Sequence, residues 1–199
     1  MKPALVLLLL GLSVFFAACA GSAPSPPTAD VASAPDPLPS APPEANRLAP
    51  GYLPTPFSAA ELRATLTHGA FRKFRNETAD SVRLQTMTFL DGNKNGAIVE
   101  AIVADENDQE LRRVTSSPTS SETFQGHASY EELLSSVRHE RVRVIAGDFD
   151  CWVYTTIDLA GADVEASFAL DLPGPPILMV TTKDGQPVAR VELIDYGPR

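Results

Sequence analysis

Hydrophobic and polar positions divide the chain into three regimes. Residues 4–18 form a predominantly apolar run that lacks Asp, Glu, Lys and Arg. Residues 20–56 show no periodicity and are dominated by Pro, Ala and Ser, as in Ala23-Pro24-Ser25-Pro26-Pro27. From Phe57 onward the pattern becomes periodic. Ser58 followed by Glu61 is a capping-box signature, Phe57, Leu62 and Leu66 make an apolar stripe, and Gly69 stops it, so 57–68 reads as a short helix. The period then switches to two. Strands are expected at 70–77, 82–90, 97–104 and 110–116. A polar loop, 116–121, precedes a second expected helix opening at Ser129-Tyr130-Glu131-Glu132, with Leu133, Leu134 and Val137 as its apolar side. Strands return at 142–146, 149–159, 164–170, 177–182 and 188–196, and Lys183-Asp184-Gly185-Gln186 carries the strongest short hairpin signal.

The sum is an α+β domain, mainly β: a single antiparallel sheet of about eight or nine strands with two short helices. A sheet that long must curl or close. The expected form is an open, half-barrel-like sheet with the helices on its concave side; a closed barrel or a sandwich is the alternative. The boundaries read as 1–18, a signal segment; 19–56, a Pro/Ala/Ser-rich tether; and 57–199, one globular domain. The tether cannot bury enough apolar surface to offset its ordering entropy, so it is expected to be a disordered, partly polyproline-II spacer.

Candidate chemistry is sparse. Asp91-Gly92-Asn93-Lys94-Asn95-Gly96 matches the opening of a calcium loop, with oxygen ligands Asp91, Asn93 and Asn95 at positions one, three and five. The position that should supply a bidentate Glu is Ile102, and the flanks read as strands. A Gly/Asn-rich hairpin turn accounts for the same residues. His68, His127 and His139 fall in no ligand spacing, and neither a nucleophile elbow nor a phosphate-binding Gly-rich loop occurs. No cofactor is implied and no catalytic residue stands out, so the chain is expected not to be an enzyme. One strand carries Phe149, Cys151 and Val153 on one face and Asp150, Trp152 and Tyr154 on the other. Trp152, the single tryptophan, and Tyr154 either pack beneath a helix or line a groove for an apolar ligand.

Composition narrows the partners. The 199 residues carry a formal net charge of -9, which argues against nucleic acid, because phosphate contacts need clustered Lys and Arg. Cys19 and Cys151 are the two cysteines, so no disulfide framework exists. Cys151 reads as a small core residue, with neither a Cys-x-x-Cys motif nor an adjacent basic residue to activate it.

Cys19 changes the picture most. It follows Lys2, the apolar run and Phe16-Ala17-Ala18. This layout is that of a secretory signal. The ending resembles the lipobox of bacterial lipoproteins, with Phe16 where Leu is usual. An ordinary cleaved signal and a retained membrane helix are the alternatives. The resemblance implies that Cys19 is the lipidated first residue of the mature protein, anchored by two or more acyl chains. Ala20 follows the cysteine, so the resemblance implies the outer membrane, periplasmic side. Lipobox, tether and an antiparallel domain together resemble bacterial envelope lipoproteins, and the element order resembles the LolA/LolB-like half-barrel carriers. The implied function is a non-enzymatic binding module for an apolar ligand or an envelope component. A structural or protein-interaction lipoprotein without a small ligand is the other reading.

Overall fold

The computed structural model describes residues 41–93 and 96–198. Cys19, the signal segment, the tether as far as residue 40, and Asn95 lie outside the described residues. The fold is mainly β, a single open antiparallel sheet of nine strands in the order β4-β3-β2-β1-β9-β8-β7-β6-β5. One meander comprises β1 (Ala70–Thr78), β2 (Val82–Asn93), β3 (Gly96–Ala104) and β4 (Glu110–Thr115). The other comprises β5 (Ser136–Val144), β6 (Gly147–Ile157), β7 (Asp163–Ala169), β8 (Leu178–Lys183) and β9 (Gln186–Pro198). Their first and last strands join them, with Arg72 opposite Tyr196 and Asn76 opposite Val191. The β8–β9 turn has the chemistry its sequence announces. Asp184 (φ 51°) and Gly185 (φ 74°) both adopt the left-handed region that a two-residue type I′ hairpin requires.

The sheet curls enough for distant strands to touch. The β5–β6 turn reaches β9, which is not its neighbour in strand order: the Ala146 N–H donates to the Leu193 carbonyl (3.2 Å) and the Ile145 N–H to the Glu192 carboxylate (3.0 Å). Beneath that contact Val142, Val144, Phe149, Cys151 and Val153 pack with Phe74, Ile177 and Leu193. A separate cluster holds Phe57, Leu62 and Leu66 against Phe89, Val99, Trp152, Tyr154 and Phe168. There the short helices α1 (Ala59–Thr65) and α2 (Ser121–Gly126) cover the sheet. The α1 capping box is formed as its sequence foretells, with Ser58 accepting from the Glu61 N–H and the Ser58 N–H donating back to the Glu61 carboxylate (2.7 Å).

Two sequence expectations need correction. The second helix opens at Ser120, whose hydroxyl accepts from the Thr123 N–H (3.2 Å), inside the stretch assigned to a polar loop. The expected helix at 129–137 does not form because its backbone is used elsewhere. The Leu53 N–H donates to the Tyr130 carbonyl (2.9 Å) and the Glu132 N–H to the Gly51 carbonyl (2.9 Å). Leu133 is 96% exposed and Leu134 52%, so neither forms an inner helix face.

The second correction concerns the domain boundary at 56/57. Residues 41–56 are part of the packed structure. Asn46, in a 3-10 turn over Glu44–Asn46, and Thr55 are both buried. The Thr55 hydroxyl donates to the carbonyls of Asn46 and Phe57 (both 3.0 Å) and accepts from Gln125 Nε2 (3.0 Å). The Gln125 Oε1 accepts from the Ala59 N–H (3.0 Å). The Tyr154 hydroxyl donates to the Pro54 carbonyl (2.6 Å). Pro-rich composition hid this segment because its order comes from hydrogen bonds to distant residues rather than from a periodic apolar face.

Gln125→Leu should destabilise the domain by about 2–3 kcal/mol, because Thr55 and the Ala59 N–H lose partners in a buried setting. Urea unfolding checks this, with an unchanged midpoint as the contrary result. Gly96→Ala should also destabilise, by about 1–3 kcal/mol. Its φ is +121°, and an added Cβ would stand 2.2 Å from the Thr119 carbonyl oxygen. The same unfolding assay reads it.

Candidate ligand cavity

Two short helices over a curved sheet leave a gap that side chains do not fill. The gap is a cavity of about 400 Å³, within the range of small-molecule sites. α1 and its flank contribute Phe57, Leu62 and Leu66; α2 and the following turn contribute Phe124, Ala128 and Tyr130. Met87 and Phe89 of β2, Phe168 of β7 and Met179 of β8 form the sheet side. The β7–β8 connection closes one rim with Gly174, Pro175 and Pro176. The aromatic rings brace one another edge to face, Phe57 on Phe168 and Phe89 on Phe124, each with centroids 6.3 Å apart. Met87, Met179, Phe124 and Tyr130 are only half-buried, so this wall opens toward solvent.

The lining offers little polarity. Gln125 has both ends of its amide engaged by Thr55 and Ala59, and His127 is exposed beside Phe124. The Tyr130 hydroxyl has no hydrogen-bond partner among the described residues, and burial pushes its pKa up to about 12. The cavity is therefore an apolar pocket with one neutral phenol on its wall. It offers shape and apolar surface, and the described residues bring no nucleophile–base pair into it.

Trp152 and Tyr154 sit one layer behind this lining. Trp152 is 2% exposed and Tyr154 fully buried, and neither borders the cavity. Tyr154 supports two residues that do: its ring lies 5.0 Å from that of Tyr130 and 5.6 Å from that of Phe168. Burial raises the Tyr154 pKa, so it is a fixed neutral donor to Pro54. Met87, Phe124 and Met179 escaped sequence reasoning as lining residues. Nothing in a period-two strand pattern distinguishes a core residue from one beside a void.

At the Asp91-Gly92-Asn93 turn, Asp91 pairs through its backbone with Ile98, and Asn93 with Gly96. The Ala97 N–H donates to the Thr119 carbonyl (2.8 Å), and Gly96 admits that close approach. Among the described residues no group of three or more His, Cys, Asp or Glu could hold a metal. The three histidines do not converge: His68 bonds the Leu90 carbonyl, His127 packs on Phe124 and His139 on Trp152.

No protein-family model matches the chain, and no curated protein does either. Solved structures to which it is similar include the MucA/MucB complex of Pseudomonas aeruginosa, at 13% identity and a TM-score of 0.46, covering 69% of this chain and 54% of that one. A structure of MucB alone is similar at 13% identity and a TM-score of 0.45, covering 70% of this chain and 58% of that one. The chain thus spans little more than half the length of either. A likeness this low assigns neither a ligand nor a partner.

Cys151 is fully buried, and burial, with the Asp150 carboxylate adding, pushes its thiol up to about 12. The raised pKa keeps it a neutral thiol at every pH below that value. Folded Cys19→Ser protein, in which Cys151 is the sole thiol, should therefore resist a disulfide-exchange reagent at pH 8, and the urea-unfolded form should react at once. Fast labelling of the folded form would contradict the burial.

Proposed function

We propose that this protein is a non-enzymatic binding module of the bacterial cell envelope that holds an apolar ligand, an acyl chain or similar molecule, beneath α1 and α2. The cavity of about 400 Å³ carries the reading, because its walls are aliphatic and aromatic and its polar groups are few or engaged. Two methionines on the sheet side suit a ligand of variable shape, since an unbranched thioether adapts to irregular contacts. The open curled sheet with helices on one face agrees with the resemblance to LolA/LolB-like carriers. Fold alone does not establish function, so the lining residues support the reading more than the resemblance does.

The proposal includes lipidation at Cys19 and anchorage to the outer membrane on its periplasmic side. It rests on the lipobox resemblance and on the Pro-rich stretch that follows. Among the described residues no helix is long and apolar enough to cross a membrane.

A second reading, binding of an envelope protein, draws on a different surface. Leu133, Leu134, Ile157 and Leu159 are all exposed. The Ser135 hydroxyl donates to Thr156 (2.8 Å), so these apolar side chains gather at one end of β5 and β6. A contiguous exposed apolar patch is a common mark of a docking surface.

A fluorescent long-chain fatty acid added to the protein should bind saturably at one site. Met179→Trp, which crowds the lining, should weaken it roughly tenfold without lowering the unfolding free energy by more than about 2 kcal/mol. Saturable binding that Met179→Trp leaves unchanged would place the ligand elsewhere. For the anchor, Cys19→Ser should move the protein from the membrane to the soluble fraction and abolish acyl labelling. Unchanged fractionation would refute lipidation.

A further inference from the structure

Arg72 is 4% exposed, and among the described residues no carboxylate pairs with it. The other arginines without an acidic partner among the described residues, Arg83 and Arg112, are exposed, where water solvates the charge. Arg72 has little in exchange for water. Its Nη1 donates to the Phe71 carbonyl (2.8 Å), and its guanidinium carbon lies 5.9 Å from the centre of the Tyr196 ring. A guanidinium carries five N–H donors, and a buried charge is costly unless it is paired. Burial also holds its pKa below the ordinary arginine value, with only Tyr196 offsetting the effect.

The position of Arg72 gives that unpaired charge a meaning. On one side it faces Tyr196 of β9 and on the other Met87 of β2. Met87 lines the cavity and touches both apolar clusters. Directly opposed residues on antiparallel strands have Cβ atoms roughly 5 Å apart, so Arg72 stands immediately behind the cavity wall.

We infer that Arg72 is the head-group site of this cavity and that the ligand is an acyl chain ending in an anionic group. The chain lies among the aromatic and aliphatic side chains beneath the helices. The anion lies past Met87, whose three rotatable bonds let it turn aside, against the guanidinium. A carboxylate or phosphate there accepts two parallel N–H bonds from the planar fork and supplies the missing counter-charge. This assignment rests on the apolar-ligand reading above and adds the ligand's charge class to it.

Titration of the full chain with dodecanoate, 1-dodecanol and acetate tests it. Dodecanoate should bind at least tenfold more tightly than dodecanol, and acetate should not bind at millimolar concentration. Arg72→Met should lower dodecanoate to the affinity of dodecanol and leave dodecanol unchanged, whereas Arg72→Lys should keep a preference for the acid. Should Arg72→Met fail to fold, Arg72→Gln, which removes the charge and keeps an N–H donor for the Phe71 carbonyl, takes its place with the same expected loss of preference. Equal binding of acid and alcohol by the wild type, or a preference that survives Arg72→Met, overturns the head-group site while the cavity reading stands; acetate binding as tightly as dodecanoate overturns the cavity reading, because the chain then contributes nothing. Binding of neither dodecyl compound overturns the cavity reading and the assignment together.

Discussion

The pairing of β1 with β9 makes one sheet out of two meanders. Each meander is local: β1 to β4 and β5 to β9 are linked by turns between sequence neighbours. Only the β1–β9 ladder, from Ala70 opposite Pro198 to Thr78 opposite Ala189, brings them together. With nine strands in one layer, right-handed twist accumulates until the sheet curls. The curl brings the β5–β6 turn to Leu193, closes the lower cluster and leaves the upper concave face in need of a cover.

That cover is thin. α1 has seven residues and α2 six, too few to be stable alone. They stay because Leu62, Leu66 and Phe124 meet the sheet and because Gln125, Thr55 and Asn46 bond into one buried knot. Two short helices cannot fill the width of a curved nine-stranded sheet. A cavity results, propped by edge-to-face rings rather than collapsed. Beside it lies the one arginine that is buried without an acidic partner among the described residues. An apolar chamber and an unpaired cation on adjacent strand positions are the two observations on which the proposed ligand, apolar at one end and anionic at the other, rests.

Much of the strand layout was legible because a half-buried antiparallel strand writes its period into the sequence. Phe149, Cys151 and Val153 alternate with Trp152 and Tyr154, and Asp184-Gly185 supplies the left-handed pair for a tight hairpin. The α1 cap was legible for the same local reason. The second helix was not. Ser129 to Glu132 carries as good a cap pattern as Ser120 to Thr123, and local propensity cannot tell which backbone a distant segment will engage. Residues 51–53 bond to 130–132, and that tertiary contact decides the matter.

By itself the sequence determined that this is an acidic, mainly antiparallel domain behind a Pro-rich stretch, with Cys19 as its one candidate anchor point and Cys151 as a core thiol. Those conclusions follow from composition, periodicity and short motifs, which depend on neighbours along the chain. Only the tertiary structure decided that 41–56 belongs to the fold, that Trp152 and Tyr154 stand behind the cavity rather than in it, and that Met87 separates the cavity from Arg72. A void and an unpaired buried charge are properties of what surrounds a residue in space. An arginine in a strand reads as a solvated polar position until the sheet has curled over it.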